Sequence, residues 1–179
     1  MNIAIFCGSS SKVSKKYHIE ATKLSKEIAK LGHTIVYGGS AKGMMGSVSN
    51  SALKEGGRVV GVEIKMFRDQ GYINPNLKET IIKDDFSSRK SEMIRLSDMF
   101  ITLPGGIGTL DELSEVICLS QFYFPNKKII VFNQDNYYDY LIKLLEKMKE
   151  EGFLEESLFK VIHFPKTVQE IIDIIKEKA

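Results

Sequence analysis

The feature that most constrains this chain is an alternation. Short apolar runs, too short for helices, take turns with longer segments of helical period, and three of the runs open directly into small-residue loops. Residues 2 to 7 (NIAIFC) end in Gly8-Ser9-Ser10-Ser11. His33 to Tyr37 lead into Gly38-Gly39-Ser40, with Gly43-Met44-Met45-Gly46 close behind. Met99 to Leu103 lead into Pro104-Gly105-Gly106-Ile107-Gly108-Thr109. Continuous apolar runs of this length suit strands buried on both faces, which belong to parallel sheets with crossover helices. The expected fold class is therefore α/β, a Rossmann-like doubly wound parallel sheet in which residues 1 to 179 form a single domain.

The segments between the runs support that alternation. Lys15 to Leu31 carries Tyr17, Ala21, Leu24, Ile28 and Leu31 at helical spacing and stops at Gly32. A second helix is expected from Met45 to Glu55, ended by Gly56-Gly57, and Arg58 to Ile64 reads as the third strand. Residues 65 to 78 are the least regular part and read as an excursion over a ligand mouth. Glu79 to Lys83 is a short strand, Asp84 and Asp85 a turn, and Ser87 or Ser88 the cap of a helix reaching Leu96. Thr109 is expected to open a helix to Phe124, broken by Pro125, before a strand over Lys128 to Phe132. Asp135 then opens an amphipathic helix closed by Gly152. A last strand, Lys160 to Phe164, precedes a helix from Thr167 to Lys178 whose Thr167-x-x-Glu170 start is a capping box.

Bulk properties narrow the partners. With 179 residues, 43% of them hydrophobic, the chain is long enough to bury a core of its own. A formal net charge of +2 and the lack of a basic run or stripe give no basis for a nucleic-acid or anionic-membrane partner. No apolar run approaches the roughly 20 residues that span a bilayer, and with a strand pattern beginning at Asn2 no signal peptide is expected. Cys7 and Cys118 lie far apart in apolar segments, so free thiols and a cytoplasmic location are the expectation.

The three loops are expected at the carboxyl edge of the sheet, where open α/β folds bind ligands. Backbone N-H groups in the loop after Leu103, and the helix start behind it, favour an anion such as phosphate. Three such loops on one edge point to a nucleotide. Candidate substrate-binding residues are Gly8, Ser9, Gly38, Gly39, Gly43, Met45, Gly46, Lys90, Gly105, Gly106, Ile107, Gly108, Thr109 and Asp111. Gly106-Ile107-Gly108 lacks the third glycine of a dinucleotide fingerprint and no P-loop motif occurs, which disfavours redox cofactors and P-loop chemistry. His18, His33 and His163 are dispersed without ligand spacing, so no metal site is expected. Ser9 and Ser10 lack a nucleophile-elbow setting.

Two features stay open between a structural and a functional reading. If Ser87 or Ser88 caps its helix, Arg89 and Lys90 are cations in a first turn, where the dipole disfavours them by roughly 0.3–1 kcal/mol each. Either a salt bridge back to Asp84 or Asp85, or plain solvation, offsets that cost, or a ligand phosphate does. Glu112 sits three residues after Thr109, so Thr109-Leu110-Asp111-Glu112 is itself a capping-box pattern, and on pattern alone that structural reading wins.

Arg89-Lys90 with Met93, followed by PGGIGTLDE at 104 to 112, resembles the LOG ("lonely guy") family of cytokinin riboside 5'-monophosphate phosphoribohydrolases, which are often mislabelled lysine decarboxylases. The likeness extends to the CGSS opening, YGGS with GMMG, and Gly152-Phe153, and covers nearly the whole chain. It implies a Rossmann-like homodimer that hydrolyses the N-glycosidic bond of a purine nucleoside 5'-monophosphate without metal or redox cofactor. It implies Arg89 and Glu112 as catalytic residues, with the glycine loop and Thr109 holding the phosphate. Phe86 stands where the family usually has methionine, and Asp111-Glu112 where it usually has two glutamates. Those departures bear on base preference more than on activity. Nucleotide-binding relatives such as molybdenum-cofactor carriers share the motifs, so a non-catalytic carrier is the alternative.

Overall fold

The computed structural model describes residues 1 to 177, so Lys178 of the expected C-terminal helix lies outside the described residues. The strands are β1 (Asn2–Phe6), β2 (Thr34–Tyr37), β3 (Val59–Ile64), β4 (Glu79–Lys83), β5 (Met99–Thr102), β6 (Ile129–Val131) and β7 (Ile162–His163). The helices are α1 (Lys15–Lys30), α2 (Gly43–Lys54), α3 (Lys65–Asp69), α4 (Phe86–Leu96), α5 (Ile107–Ser120), α6 (Asp139–Glu150) and α7 (Val168–Lys176). The sheet runs β4-β3-β2-β1-β5-β6-β7 with every neighbouring pair parallel, the doubly wound order that the alternation implied.

Side-chain alternation along each strand divides the core in two. From β1, Ile3 and Ile5 join Ala21, Leu24 and Ile28 of α1, Val48 of α2 and Ile171 of α7 on one face. Ala4 and Phe6 join Met93 of α4, Leu113 and Val116 of α5, and Leu145 of α6 on the other. Strands buried on both faces need apolar residues at every position, which is why their sequences read as unbroken runs rather than alternating ones.

This winding creates the site. From β1 the chain steps outward through β2 and β3 to β4, then crosses back to lay β5 on the opposite side of β1. Loops leaving β1 and β5 therefore depart in opposite directions, and a crevice opens between them at the carboxyl edge. The 65–78 excursion includes α3 and is anchored to the β2 loop. Ile73 bridges Ser40, and the Asn74 N-H donates to the Gly39 carbonyl at 2.9 Å. The buried Asn74 side chain donates to Ser49 Oγ at 2.8 Å and Asn50 Oδ1 at 2.9 Å.

Several helix starts differ from those the sequence patterns suggest. Asp85, not Ser87 or Ser88, caps α4: its carboxylate accepts from the Ser88 N-H at 2.7 Å, with Ser88 returning the contact as a capping box. Arg89 is thus the fourth helical residue, beyond the first turn where the dipole penalty was expected. α5 starts at Ile107 behind Gly106, not at Thr109, and ends at Ser120. α6 starts at Asp139, because Asp135 and Asn136 adopt φ of 52° and 63°, left-handed values that a continuing helix excludes. At α7, Thr167 Oγ1 accepts from the Glu170 N-H, but the Glu170 carboxylate reaches back to the N-H of Lys166 rather than Thr167.

Candidate active site

A cavity of about 600 Å³ occupies the crevice. Gly8 and Ser9 line it from the β1 loop, Met45 from the start of α2, Arg89 and Lys90 from α4, and Gly105, Gly106, Gly108, Thr109, Asp111 and Glu112 from the β5 loop and α5. Phe67 and Tyr72 of the excursion stand at its mouth with Phe86, so the least regular segment does border the opening. Other predicted residues do not line it. Gly38 lies behind Arg89, and Gly39 packs on Glu63. Gly43 and Gly46 face a separate polar groove beside His18. Ile107 is 82% exposed and does not line the cavity.

Gly106 caps α5 without any side-chain hydrogen bond, and the first intrahelical bond is Leu110 N-H to the Gly106 carbonyl at 3.0 Å. The N-H groups of Ile107, Gly108 and Thr109 precede it, open and at the positive end of the dipole, which is what an anion needs. None of the three loop glycines has positive φ, so left-handed freedom is not why they are there. At Gly105 the reason is space: a Cβ would come 2.2 Å from Thr109 Oγ1. Tyr137 Oη donates to the Gly105 carbonyl at 2.7 Å and Tyr138 Oη to the Leu103 carbonyl at 2.8 Å, fixing the loop from outside. The sequence reading did not single out either tyrosine.

Because α5 begins at Ile107, Glu112 is its sixth residue and makes no capping box. Instead its buried carboxylate accepts from Arg89 Nη1 at 3.0 Å. Arg89 Nε donates to the Val62 carbonyl at 2.9 Å and lies 3.4 Å from Glu63 Oε1. All three side chains are almost wholly buried, with 3% to 8% of each exposed. One guanidinium thus serves two carboxylates across β3, α4 and α5, and stripping such a group of its partner costs about 3–5 kcal/mol. Glu63 was missed in the sequence. Its signal was available: an acid inside the otherwise apolar Val59–Ile64 run.

Burial pushes the Glu112 carboxyl above the usual carboxylate range; Arg89 offsets part of that and Asp111 adds to it. Glu63 is also pushed up by burial, against the pull of Arg89 and of the Ile64 N-H that its Oε1 accepts at 3.0 Å. An acid with raised proton affinity at a cavity wall is suited to general acid or base work.

Lys90 lines the cavity and does not pair with Asp84 or Asp85. It pairs across to α5, with Asp111 at 2.9 Å and Glu115 at 2.7 Å, while Asp84 pairs with Lys65 and Asp85 caps α4. Cys7, at the cavity floor, is a free thiol that burial pushes well up, so it is held protonated; Cys118 is free and exposed. Among the described residues, no group of three or more His, Cys, Asp or Glu is placed to hold a metal ion, and no helix is long and apolar enough to cross a membrane.

Comparisons with known proteins show the family of the chain. Residues 45–175 match the family model described as "Possible lysine decarboxylase". The chain is 39% identical, over 97% of its length and 82% of the relative's, to the probable cytokinin riboside 5'-monophosphate phosphoribohydrolase LOGL3 of Oryza sativa subsp. japonica. It is 39% identical over 87% of its length, and 68% of the relative's, to the cytokinin riboside 5'-monophosphate phosphoribohydrolase LOG5 of Arabidopsis thaliana. In fold it is similar to the molybdenum cofactor binding protein of Rippkaea orientalis, with a TM-score of 0.74 at 19% identity over 98% of this chain and 95% of that one. The chain belongs to the LOG family, the group of proteins whose family model carries the lysine decarboxylase description.

Proposed function

We propose that this chain hydrolyses the N-glycosidic bond of purine nucleoside 5'-monophosphates, AMP or an N6-modified AMP, to free base and ribose 5-phosphate. The names of its LOG relatives support the reaction class. The single observation that carries the reading is Glu112, a buried acid at the cavity wall on the same helix whose open N-H groups face the β5 loop. From Ile107 to Glu112 the helix rises about 7.5 Å, comparable with the span from the phosphate of a ribose 5-phosphate to its anomeric carbon. With the phosphate on the helix start, the sugar carbon reaches Glu112.

Cleavage builds positive charge on the ribose, and the carboxylate stabilises that oxocarbenium-like state and orients or deprotonates the attacking water. Arg89 fixes the carboxylate through Nη1 and adds a cation at the cavity wall. Thr109, tucked against Gly105, holds the loop that receives the phosphate. In this reading the protein works in the cytoplasm as a homodimer. Phe122 and Tyr123, 76% and 77% exposed just beyond α5, are the apolar surface for a second copy.

The test is base release from AMP and from N6-isopentenyl-AMP, followed by chromatography. Glu112→Gln is expected to remain folded and to lose roughly 10²-fold or more in kcat; an unchanged rate would falsify the assignment. Tight AMP binding without turnover by the unmodified chain would favour a nucleotide or molybdenum-cofactor carrier instead.

A further inference from the structure

We propose that Glu63 is a positioning residue of this site: it flanks the Nε side of the Arg89 guanidinium, leaves Nη1 to Glu112, and keeps Glu112 from having that cation to itself. The inference rests on the hydrolase reading above and adds a residue to it.

The argument starts from what Arg89 does not need. Its Nε already donates to the Val62 carbonyl at 2.9 Å, so Glu63, 3.4 Å away, is not required to satisfy that donor. Nor does the strand need an acid, since Val59, Val60, Val62 and Ile64 are all buried and apolar. Yet Glu63 is 2% exposed, borders the cavity, and makes the local charge of Glu63, Arg89 and Glu112 a formal −1. A lone Arg89–Glu112 pair would be neutral, and its full positive partner would stabilise the carboxylate and weaken it as a base. With a second carboxylate on the same guanidinium, Glu112 keeps a higher proton affinity and its geometry is held from both sides.

Burial, Arg89 and Lys90 of α4 and Asp111 of α5 act on the Glu112 carboxyl. Cys7, just after β1, feels the Glu112 charge, and Glu63 of β3 meets the same Arg89. Around Glu63 itself stand Arg89 and the phenol of Tyr37 on β2, which burial pushes up to about 12. Of these groups, Glu63 is the buried acid that meets Arg89 opposite Glu112.

The experiment compares the full chain with Glu63→Gln and Glu63→Asp. The acid limb of kcat/KM for AMP should move to lower pH by roughly one unit in Glu63→Gln, because a negative neighbour of Glu112 is removed. In the same variant kcat should fall about tenfold with KM little changed. Glu63→Asp keeps the charge and should hold the limb at its original pH. A second readout does not depend on turnover: 13C-carboxyl NMR of glutamate-labelled protein, with the Glu112 signal assigned by its loss in Glu112→Gln. Its midpoint should fall in Glu63→Gln and stay in Glu63→Asp. If AMP is not hydrolysed at all the functional reading fails, while the NMR midpoint still decides the role of Glu63. An unmoved midpoint in Glu63→Gln overturns the proposal. If Glu63→Gln does not fold, a midpoint that moves down in the charge-conserving Glu63→Asp overturns it, and one that stays supports it.

Discussion

Gly38→Ala tests how rigidly the guanidinium is held. Gly38 has ordinary negative φ, so alanine meets no backbone strain there, but its Cβ would lie 2.1 Å from Arg89 Nη2. Reaching an ordinary contact of 3.4 Å moves that nitrogen by 1.3 Å. Arg89 is pinned by bonds of 2.9 Å to Val62 and 3.0 Å to Glu112, and a displacement of that size carries them past the limit of about 3.5 Å for a real hydrogen bond. Losing one hydrogen bond to a charged group costs about 1.5–3 kcal/mol, and for a chain of this length each kcal/mol lowers Tm by roughly 2–4 °C. A misplacement of about 1 Å near the reacting centre costs up to roughly 10²-fold in rate. The assay is base release from AMP beside a thermal melt. Combining Gly38→Ala with Arg89→Ala completes a cycle, and in the Arg89→Ala background the added methyl should cost little stability, because the clash is gone. A Gly38→Ala chain with full activity and an unchanged melt would refute the reasoning, since it would mean that Arg89 swings freely.

Two further outcomes follow from the same geometry. Glu112 and Glu63 have folded-state proton affinities above the unfolded ones, so their contribution to stability is fully present below the unfolded carboxylate value of 4.5 and is lost as pH rises through the folded values. The Tm of Glu112→Gln relative to the parent should therefore be more favourable at pH 7 than near pH 4, on top of the pH-independent cost of losing the Arg89 pair, measured by calorimetry; a relative Tm that becomes less favourable toward neutral pH contradicts the sign. Asn74→Ala leaves Ser49 and Asn50 without their buried partner, and should cost about 1–3 kcal/mol in denaturant unfolding and raise KM for AMP as the 65–78 segment loosens. An unaltered KM with that loss of stability would separate the anchor from the site.

The architecture was legible because the strands carry it in plain form. A chain that alternates unbroken apolar runs with amphipathic helices and places small residues after three runs has few ways to fold. The edge where ligands should bind followed from the same reading, and all three loops contribute to the cavity lining as expected. The β2 loop meets it only from Ser40 onward, since Gly38 and Gly39 serve as clearance for Arg89 and Glu63.

Helix registers were the weak point. Thr109-x-x-Glu112 satisfies a capping pattern, but the turn through Pro104, Gly105 and Gly106 lets the helix begin two residues earlier, and Thr109 instead packs its hydroxyl against Gly105. That shift turns Glu112 from a capping acid into a side chain of the second turn that meets Arg89. Near Arg89 the sequence offered several residues able to cap, and Asp85 took the role because Ser88 stands where it can answer as the third helical residue. Contacts between distant segments, such as Lys90 to Glu115 and Glu63 to Arg89, have no local pattern at all. Only the oddity of an acid in a buried strand pointed to Glu63.

A crystal of the Glu112→Gln chain soaked with AMP tests the central claim most directly, because the substrate is retained. The account predicts a phosphate accepting hydrogen bonds from the N-H groups of Ile107, Gly108 and Thr109, with the anomeric carbon of the ribose facing the side chain at 112. A phosphate bound elsewhere in the crevice, or a ribose turned away from residue 112, would contradict it.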